Sequence, residues 1–333
     1  MMISLRDVAH AAGVSKTTAS LALRDSPEIS AVTRRRVQLV AKDLGYQPSA
    51  VVSDVMAAFR KGTPRFQGML ALVNVHPYEK WLEAFPTFRQ WTRAAAERAA
   101  EMGFALERFW LHASGISPTR LAQILEARGS VGVLLAGVEH GGRLPDSAEL
   151  LWERFPSVVL GVRPEPVELH CVLNNHFESV RLATLKALER GHRRVGLVLW
   201  KDLEKSLHHR FFLGYQSALL DAPGIRALPP LELTGLDERA FRAWMKSYKP
   251  DAVLAHDPAV CRWLGKPANA AGRAPFVALL DLDDQGGLPG IWQQNEVVGR
   301  YAVEIVAAQV HRGESGPPRV ATAHLIKGIW RDG

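Results

Sequence analysis

Apolar residues recur in two different rhythms along this chain. Over the first fifty positions the rhythm is helical throughout. Leu5, Val8, Ala9 and Ala12 fall on one face of a helix predicted over 5–12. Ser4 stands where a cap belongs, and Asp7 places a negative charge in the first turn. Gly13 follows, at a point where a tight turn needs positive φ. Val14 supplies an apolar plug. Ser15 can cap a second helix over 16–23 and Ser30 a third over 31–44. Gly45 ends the third, and Tyr46 can close the small core.

Gly62-Thr63-Pro64 breaks this pattern, and beyond it the rhythm changes. Strand-like runs at 69–75, 106–111, 132–135 and 157–160 alternate with helical stretches at 84–102, 118–128 and 147–154. A second cycle follows: strand 171–173, helix 176–190, strand 194–199, helix 207–220, strand 231–233, helix 238–246, then strands 252–255 and 276–280. Such alternation makes βαβ units and parallel sheets. The expected architecture is α/β. A three-helix head over 1–48 and a linker over 49–63 precede a body of two doubly wound lobes over 64–333. The first lobe is expected over about 64–162 and 291–318, the second over about 163–290 and 319–333.

Composition narrows the function. Of 333 residues, 47% are hydrophobic and 23% charged, which excludes a disordered tail, a collagen-like fibre or a disulfide-stapled miniprotein. The formal net charge is +7, and residues 1–62 carry nine Lys/Arg against five acids, so +4 of it sits in the head and linker. A basic head invites a polyanion. Cys171 and Cys261 lie in apolar runs and read as buried free thiols of a reducing compartment. No uninterrupted apolar run reaches about 18 residues, so no membrane span is expected. The opening residues lack a signal-peptide pattern, and the expected location is cytoplasmic.

Helix, glycine turn, helix over 5–23 is the arrangement of a DNA-binding helix-turn-helix, whose second helix meets base edges in the major groove. The run Leu5-Arg6-Asp7-Val8-Ala9-His10-Ala11-Ala12-Gly13-Val14-Ser15-Lys16-Thr17-Thr18-Ala19-Ser20 resembles the opening of the lac-repressor (LacI) family of bacterial regulators. Ile29-Ser30-x-x-Thr33-Arg34 and Leu44-Gly45-Tyr46-Gln47-Pro48 resemble that family's third helix and exit. Arg181-Leu182-Ala183-Thr184, the run from Glu189 to Val195 and Lys249-Pro250-Asp251-Ala252-Val253 resemble its effector-binding core. The resemblance implies a periplasmic-binding-protein-like body behind the head. It also implies a homodimer on a pseudo-palindromic operator, acting as a repressor, with a sugar or related metabolite bound between the lobes.

In such a head Lys16, Thr17 and Leu21 face bases: Lys16 can donate to guanine, and Leu21 can press a thymine methyl. Thr18, Ser20, Arg24, Ser30 and Arg34 are placed for phosphates, with Ser4, Ser15 and Tyr46 at the helix ends completing the surface. Many family members carry Arg late in the second helix, where this chain has Leu21. The segment after Pro48 is too short to be a stable helix alone. The family's hinge folds on operator DNA and wedges an apolar residue into the minor groove. The wedge is usually Leu; here the position is Val55, with Val52 one turn earlier and Asp54 adding a negative charge.

Ligands of doubly wound lobes bind at the carboxyl ends of the strands. Those loops carry His76, Glu79, Gly137, Asn175, Arg210, Phe211, His256, Asp257, Asp281, Trp292 and Gln293. The family's sugar-holding Arg position is Phe211 here, with Arg210 beside it. Its usual Asn-Asp pair is His256-Asp257, and its Phe-Asp-Asp is Leu280-Asp281-Leu282. The effector is therefore not inherited with the fold. No G-x-S-x-G, H-E-x-x-H, GxxxxGK[ST] or zinc-spaced Cys/His set occurs, so no enzyme activity, cofactor or metal is expected. His208 and His209 are adjacent and do not share a helix face. The acidic run 281–284 directly follows a strand and fits a cleft loop better than a metal site. The rival class is a solute-binding protein or a sugar-modifying enzyme on the same lobes; the N-terminal module argues against the first and the missing catalytic set against the second.

Overall fold

The computed structural model describes residues 5–23, 26, 28–44, 66–138, 144–145, 147–163, 167–264, 275–282 and 287–333, with Leu5 and Arg6 described by backbone alone. In the head, α1 (Leu5–Ala11), α2 (Lys16–Leu23) and α3 (Ala31–Asp43) close around Val8, Ala9, Ala12, Ala19, Ala22, Val37 and Ala41. All seven are small, so the helices approach closely and the core is thin. Gly13 adopts φ 62°, and the turn is tied by the Val14 amide to Ala9 O at 3.0 Å. Ser30 caps α3 through its own hydroxyl, which accepts from Thr33 N.

The first lobe begins with β1 (Gly68–Asn74), α4 (Trp81–Ala84), α5 (Pro86–Glu101), β2 (Phe104–Trp110), α6 (Pro118–Ala127), β3 (Ser130–Ala136), α7 (Glu149–Arg154), β4 (Ser157–Leu160) and β5 (His170–Asn174). The helix expected over 84–102 is thus two. Pro86 has no amide to continue a helix, and Phe85 before it is forced to extended backbone, φ −116° and ψ 139°. The second lobe holds α8 (His176–Glu189), β6 (Val195–Trp200), α9 (Lys201–Ser206), α10 (Arg210–Leu220), β7 (Leu231–Leu233), α11 (Glu238–Tyr248), β8 (Ala252–Ala255), α12 (Ala259–Leu264), β9 (Phe276–Leu279) and β10 (Gly290–Trp292). The chain then returns through α13 (Asn295–Arg312) and β11 (Ala323–Ile326) to the first sheet. It ends as β12 (Ile329–Arg331) in the second.

Two six-stranded sheets result, in the orders β11-β5-β4-β3-β1-β2 and β12-β10-β9-β8-β6-β7. The first is parallel throughout; in the second, β12 runs antiparallel to β10. Apolar clusters fill both faces of each sheet, as a buried parallel sheet requires. Gly299 lets α13 meet α5: a Cβ there would stand 2.1 Å from Trp91 O.

The lobe limits differ from those expected. Strands β5 (170–174) and β11 (323–326) join the first sheet and β10 (290–292) the second. Alternation marks a parallel strand but does not say which of two similar sheets it joins. The chain passes between lobes three times, near 175, 294 and 328, and the passages are tied together. Asn175 N donates to Ile326 O at 2.7 Å, Asn174 Nδ2 to Gln293 O at 2.8 Å, and Gln294 Nε2 to Lys327 O at 2.6 Å.

Candidate functional site

The head presents one surface for recognition. Ala19 and Ala22 turn α2 inward, which leaves Lys16 and Thr17 exposed at its start and Thr18, Ser20 and Leu21 half-buried beside them. Ser15 fixes that start, its hydroxyl accepting from Thr18 N at 3.0 Å and meeting Thr18 Oγ1 at 2.8 Å. Gln38 on α3 donates to Ala22 O at 3.3 Å and ties the far end of α2. Arg34 departs from a simple phosphate role. It is half-buried, donates to Ile29 O at 3.0 Å, and its Nε is shut from water. Arg35 and Arg36 next to it are exposed. Ser4, Arg24, Tyr46, Val52 and Val55, with the whole linker over 49–63, lie outside the described residues.

The strand ends of the first lobe form a wall whose polar groups are satisfied except for Trp81 Nε1, which is buried without a partner. Asn74 is buried and donates to Tyr78 O at 3.2 Å and Glu79 O at 2.8 Å, while its Oδ1 accepts from His76 N at 3.0 Å. His76 Nδ1 accepts from Tyr78 N at 2.9 Å, so its ring proton belongs on Nε2. The imidazole stacks on Trp81 at 3.8 Å and 5°. Trp81, Phe85, Phe88 and Trp91 continue as a ladder of aromatic contacts. Gly137 at φ 83° has no room for a side chain, since a Cβ would meet Asn74 Oδ1 at 2.8 Å. The Glu79 side chain is exposed.

Several expected ligand groups instead join the lobes or cap helices. Asp281, past the end of β9, accepts from Thr87 Oγ1 at 2.8 Å and Asn295 Nδ2 at 3.4 Å, both from first-lobe helices. Trp91 Nε1 donates to Asn295 Oδ1 at 3.1 Å and extends the bridge. Gln293 is buried; its amide donates to Leu280 O at 2.6 Å and its Oε1 accepts from Ser179 Oγ at 3.0 Å. Asn175 caps α8, and Asp257 Oδ1 accepts from Ala259 N at 2.7 Å, at the start of α12. Arg331 lies 3.9 Å over the ring of Trp292.

The wall of the second lobe is different. Phe211, 1% exposed, sits between two imidazoles, with His176 at 4.7 Å and His256 edge-on at 4.2 Å. His176 Nδ1 and His256 Nε2 are shut from water and have no hydrogen-bond partner. Burial pulls the His256 pKa down to about 4. Burial, helped by the charges of His256 and Arg210, pulls that of His176 down to about 3. Both rings are therefore neutral at pH 7. Glu204, 2% exposed, accepts from Phe212 N at 2.8 Å with one oxygen and has no partner for the other; burial raises its pKa. Between Glu204 and Arg210 the chain holds His208 and His209 at φ 50° and 59°, a strained pair of left-handed residues. That turn starts α10, whose first residue is Arg210. His176, Glu204, Trp81, Thr87 and Asn295 were not found by sequence reasoning, because each sits inside or beside a helix rather than in a loop of mixed polarity.

A cavity of about 10 Å³ lies behind His256, lined also by Trp200, Leu233, Asp257, Val260 and Trp263. A larger groove of about 390 Å³ runs along His170, Gln309 and 312–320, at the opposite end of β5 from the cleft. Among the described residues no group of three or more His, Cys, Asp or Glu is arranged to hold a metal ion. No described helix is long and apolar enough to cross a membrane.

Residues 4–49, the whole of the helix-turn-helix surface just described, match the family of bacterial regulatory proteins of the lacI type. Residues 4–49 are thus similar to a lacI-type DNA-binding head. Curated relatives agree. The PurR repressor of Mannheimia succiniciproducens is 28% identical over 226 residues, 66% of this chain and 62% of that protein. The PurR repressor of Pasteurella multocida is 25% identical over 239 residues, 71% of this chain and 66% of that one. The match thus spans somewhat less than two thirds of these relatives' length. Solved structures share the fold along nearly the whole chain. A cellobiose complex of the regulator CelR superposes with TM-score 0.60 at 24% identity, covering 99% of this chain and 98% of that one. A lac repressor dimer bound to operator and the anti-inducer ONPF gives 0.62 at 18% identity, with the same coverage.

Proposed function

We propose that this chain is a lacI-type transcriptional repressor. As a homodimer it reads a pseudo-palindromic operator, one half-site per subunit, and a small molecule in the cleft controls its affinity. The observation that carries the reading is the start of α2. Lys16 and Thr17 stand exposed after a glycine turn, while the opposite face of the same helix is locked into the head core. The relatives named as repressors support it. A sugar or related metabolite is supported by the cellobiose held by CelR and the fructose 1-phosphate held by a similar Cra regulator of Pseudomonas putida, TM-score 0.57 at 16% identity over 79% of this chain.

The cleft supplies the control. Its lobes are joined by three tied passages and one bridge at Asp281, so a ligand touching both walls favours one lobe angle over another. To shift operator affinity the ligand must bind one of those states better. The linker over 49–63 carries the change to the head.

Retardation of palindromic DNA from the chain's own upstream region tests this. Binding by the full chain should fall steeply as salt rises, through counterion release at phosphates. Replacing Lys16 or Thr17 should change which base is preferred in each half-site, and replacing exposed Arg35 should weaken all sequences alike. Indifference to operator DNA, with and without candidate sugars, would end the reading.

A further inference from the structure

The helix that faces the bases is held at both ends, and only one of the two holds is local. At its start Ser15 caps α2, its hydroxyl accepting from Thr18 N at 3.0 Å. At its far end Gln38, half-buried on α3 and 16 positions away in sequence, donates from Nε2 to Ala22 O at 3.3 Å. That carbonyl belongs to the last turn of α2 (Lys16–Leu23), where helix carbonyls lack intrahelical partners. Apolar packing does little to aim the same helix. Its two buried residues are Ala19 and Ala22, and the α3 residues in the same core are Val37 and Ala41. Methyl groups let two helices approach, but they make low ridges that barely interlock, so rotation and tilt stay soft. Lys16 and Ala22 stand only about 9 Å apart along the axis. A swing at the Ala22 end therefore moves the end that meets the bases. The element Gln38 stands on is itself fixed, by the Ser30 cap at its start and by Val37 at 0% exposure.

We infer that Gln38 is a positioning residue for base readout: its bond to Ala22 O sets the rotation and tilt of α2, and so where Lys16 and Thr17 stand against the bases. This rests on the head reading DNA through α2. Gln38 acts through that helix rather than through a contact of its own. Its loss lowers discrimination between sequences and leaves the phosphate-borne affinity shared by every duplex. The loss is bounded by the worth of one hydrogen bond, about threefold to tenfold in affinity.

The full chain is tested on two duplexes: the palindromic site that wild type selects from a library with randomised half-sites, and a scrambled duplex of the same length. Q38M keeps the length of the side chain and removes the donor. It should lower the ratio of selected to scrambled affinity by about threefold to tenfold, with amide protection in the head, scrambled-duplex affinity and salt slope all kept. Q38K restores a donor and should recover most of the ratio; its extra charge acts on both duplexes alike and cancels. In a K16A background Q38M should cost less than in wild type, because part of what it misplaces is already gone. Equal weakening on both duplexes, or lost protection across the head, would make Gln38 a support of the fold only and overturn the proposal. So would an unchanged ratio, a Q38K no better than Q38M, or full additivity with K16A. A wild type that selects no site from the library would end the DNA-reading proposal itself, and this inference with it.

Discussion

On the first-lobe side of the cleft Asn74 bonds three backbone groups, His76 accepts from Tyr78 N and stacks on Trp81, and Gly137 closes over both. On the second-lobe side, at the matching strand ends, His176, His256 and Glu204 each keep a buried polar atom without a partner, and the turn before Arg210 runs through two left-handed residues. The first wall leaves one buried polar atom without a partner, Trp81 Nε1, and satisfies the rest of these groups. The second carries groups that cost about 1–3 kcal/mol each when unpaired, together with strain of similar size. A fold keeps such costs where a bound state removes them. The contrast says that the first lobe is the fixed jaw and the second the sensing one.

The largest expected effect is on the ring that holds the second wall together. Phe211→Ala removes a side chain 1% exposed, packed between two imidazoles and the apolar core of α8 and α10. It should cost about 3–5 kcal/mol. Amide exchange should show the loss in β6, β8 and α10 while β1 and β3 keep their protection. Equal loss in both sheets would mean that the lobes unfold as one unit and that the comparison has no energetic content.

Acid should act on the same side. His176 and His256 have pKa values of about 3 and about 4 when folded, against 6.5 for an ordinary histidine. Between those limits the unfolded chain binds more protons than the folded one, so stability is full above about pH 6.5 and is lost as pH falls toward 4. Glu101, held down to about 2 by Arg300 and Arg98, works in the same direction. It lies on the first lobe, is exposed and acts only below its ordinary 4.5. Second-lobe amides should therefore lose protection first between pH 6.5 and 5. If the first lobe softened earlier, the imidazoles would not be the groups responsible.

A matched pair of substitutions sharpens the contrast. Asn74→Ala strips three hydrogen bonds from a buried site and should cost about 1–3 kcal/mol. His256→Phe removes a nitrogen that bonds nothing described and keeps the ring against Phe211, so its Tm should stay the same or rise. Ordinary thermal denaturation at pH 7 separates the two, and a large fall for His256→Phe would mean that the nitrogen already has a partner.

Much of this frame is legible in the sequence, and the exceptions have a common cause. The head is local. Capping serines, the Gly13 turn and apolar spacing lie within forty residues of one another, and α1, α2 and α3 form where those signals put them. The βαβ alternation also reads directly, because each buried strand is a continuous apolar run. What the pattern cannot carry is partnership across long separations. The passages between lobes were displaced because β5 and β11 look like strands of either sheet. Asn175, Asp257 and Gln293 have the residue types of ligand groups, yet their partners, at distances of two to 119 positions, make them caps and ties. His176 and Trp81 were invisible for the converse reason. A helix-start histidine and a tryptophan read as packing residues until their unpartnered nitrogens are seen.

The smallest effect concerns the bridge where the two walls meet. Thr87 Oγ1 donates to Asp281 Oδ2 at 2.8 Å, across 194 positions of sequence and from one lobe to the other. Asp281 keeps Asn295 Nδ2 at 3.4 Å as a second donor, so removing the hydroxyl does not strand the carboxylate. Thr87→Val preserves the β-branched shape at the start of α5 and deletes only the donor. It should cost about 1 kcal/mol of overall stability, the worth of one hydrogen bond to a charged group that retains another partner. Its effect on lobe angle should be clearer than its effect on Tm, because the lost bond exists only when the lobes are together. Small-angle scattering of the variant should show a slightly larger radius of gyration, and ligand that bridges the walls should restore the wild-type value. An unchanged radius would place the closing energy in the three tied passages at 175, 294 and 328 rather than in the bridge.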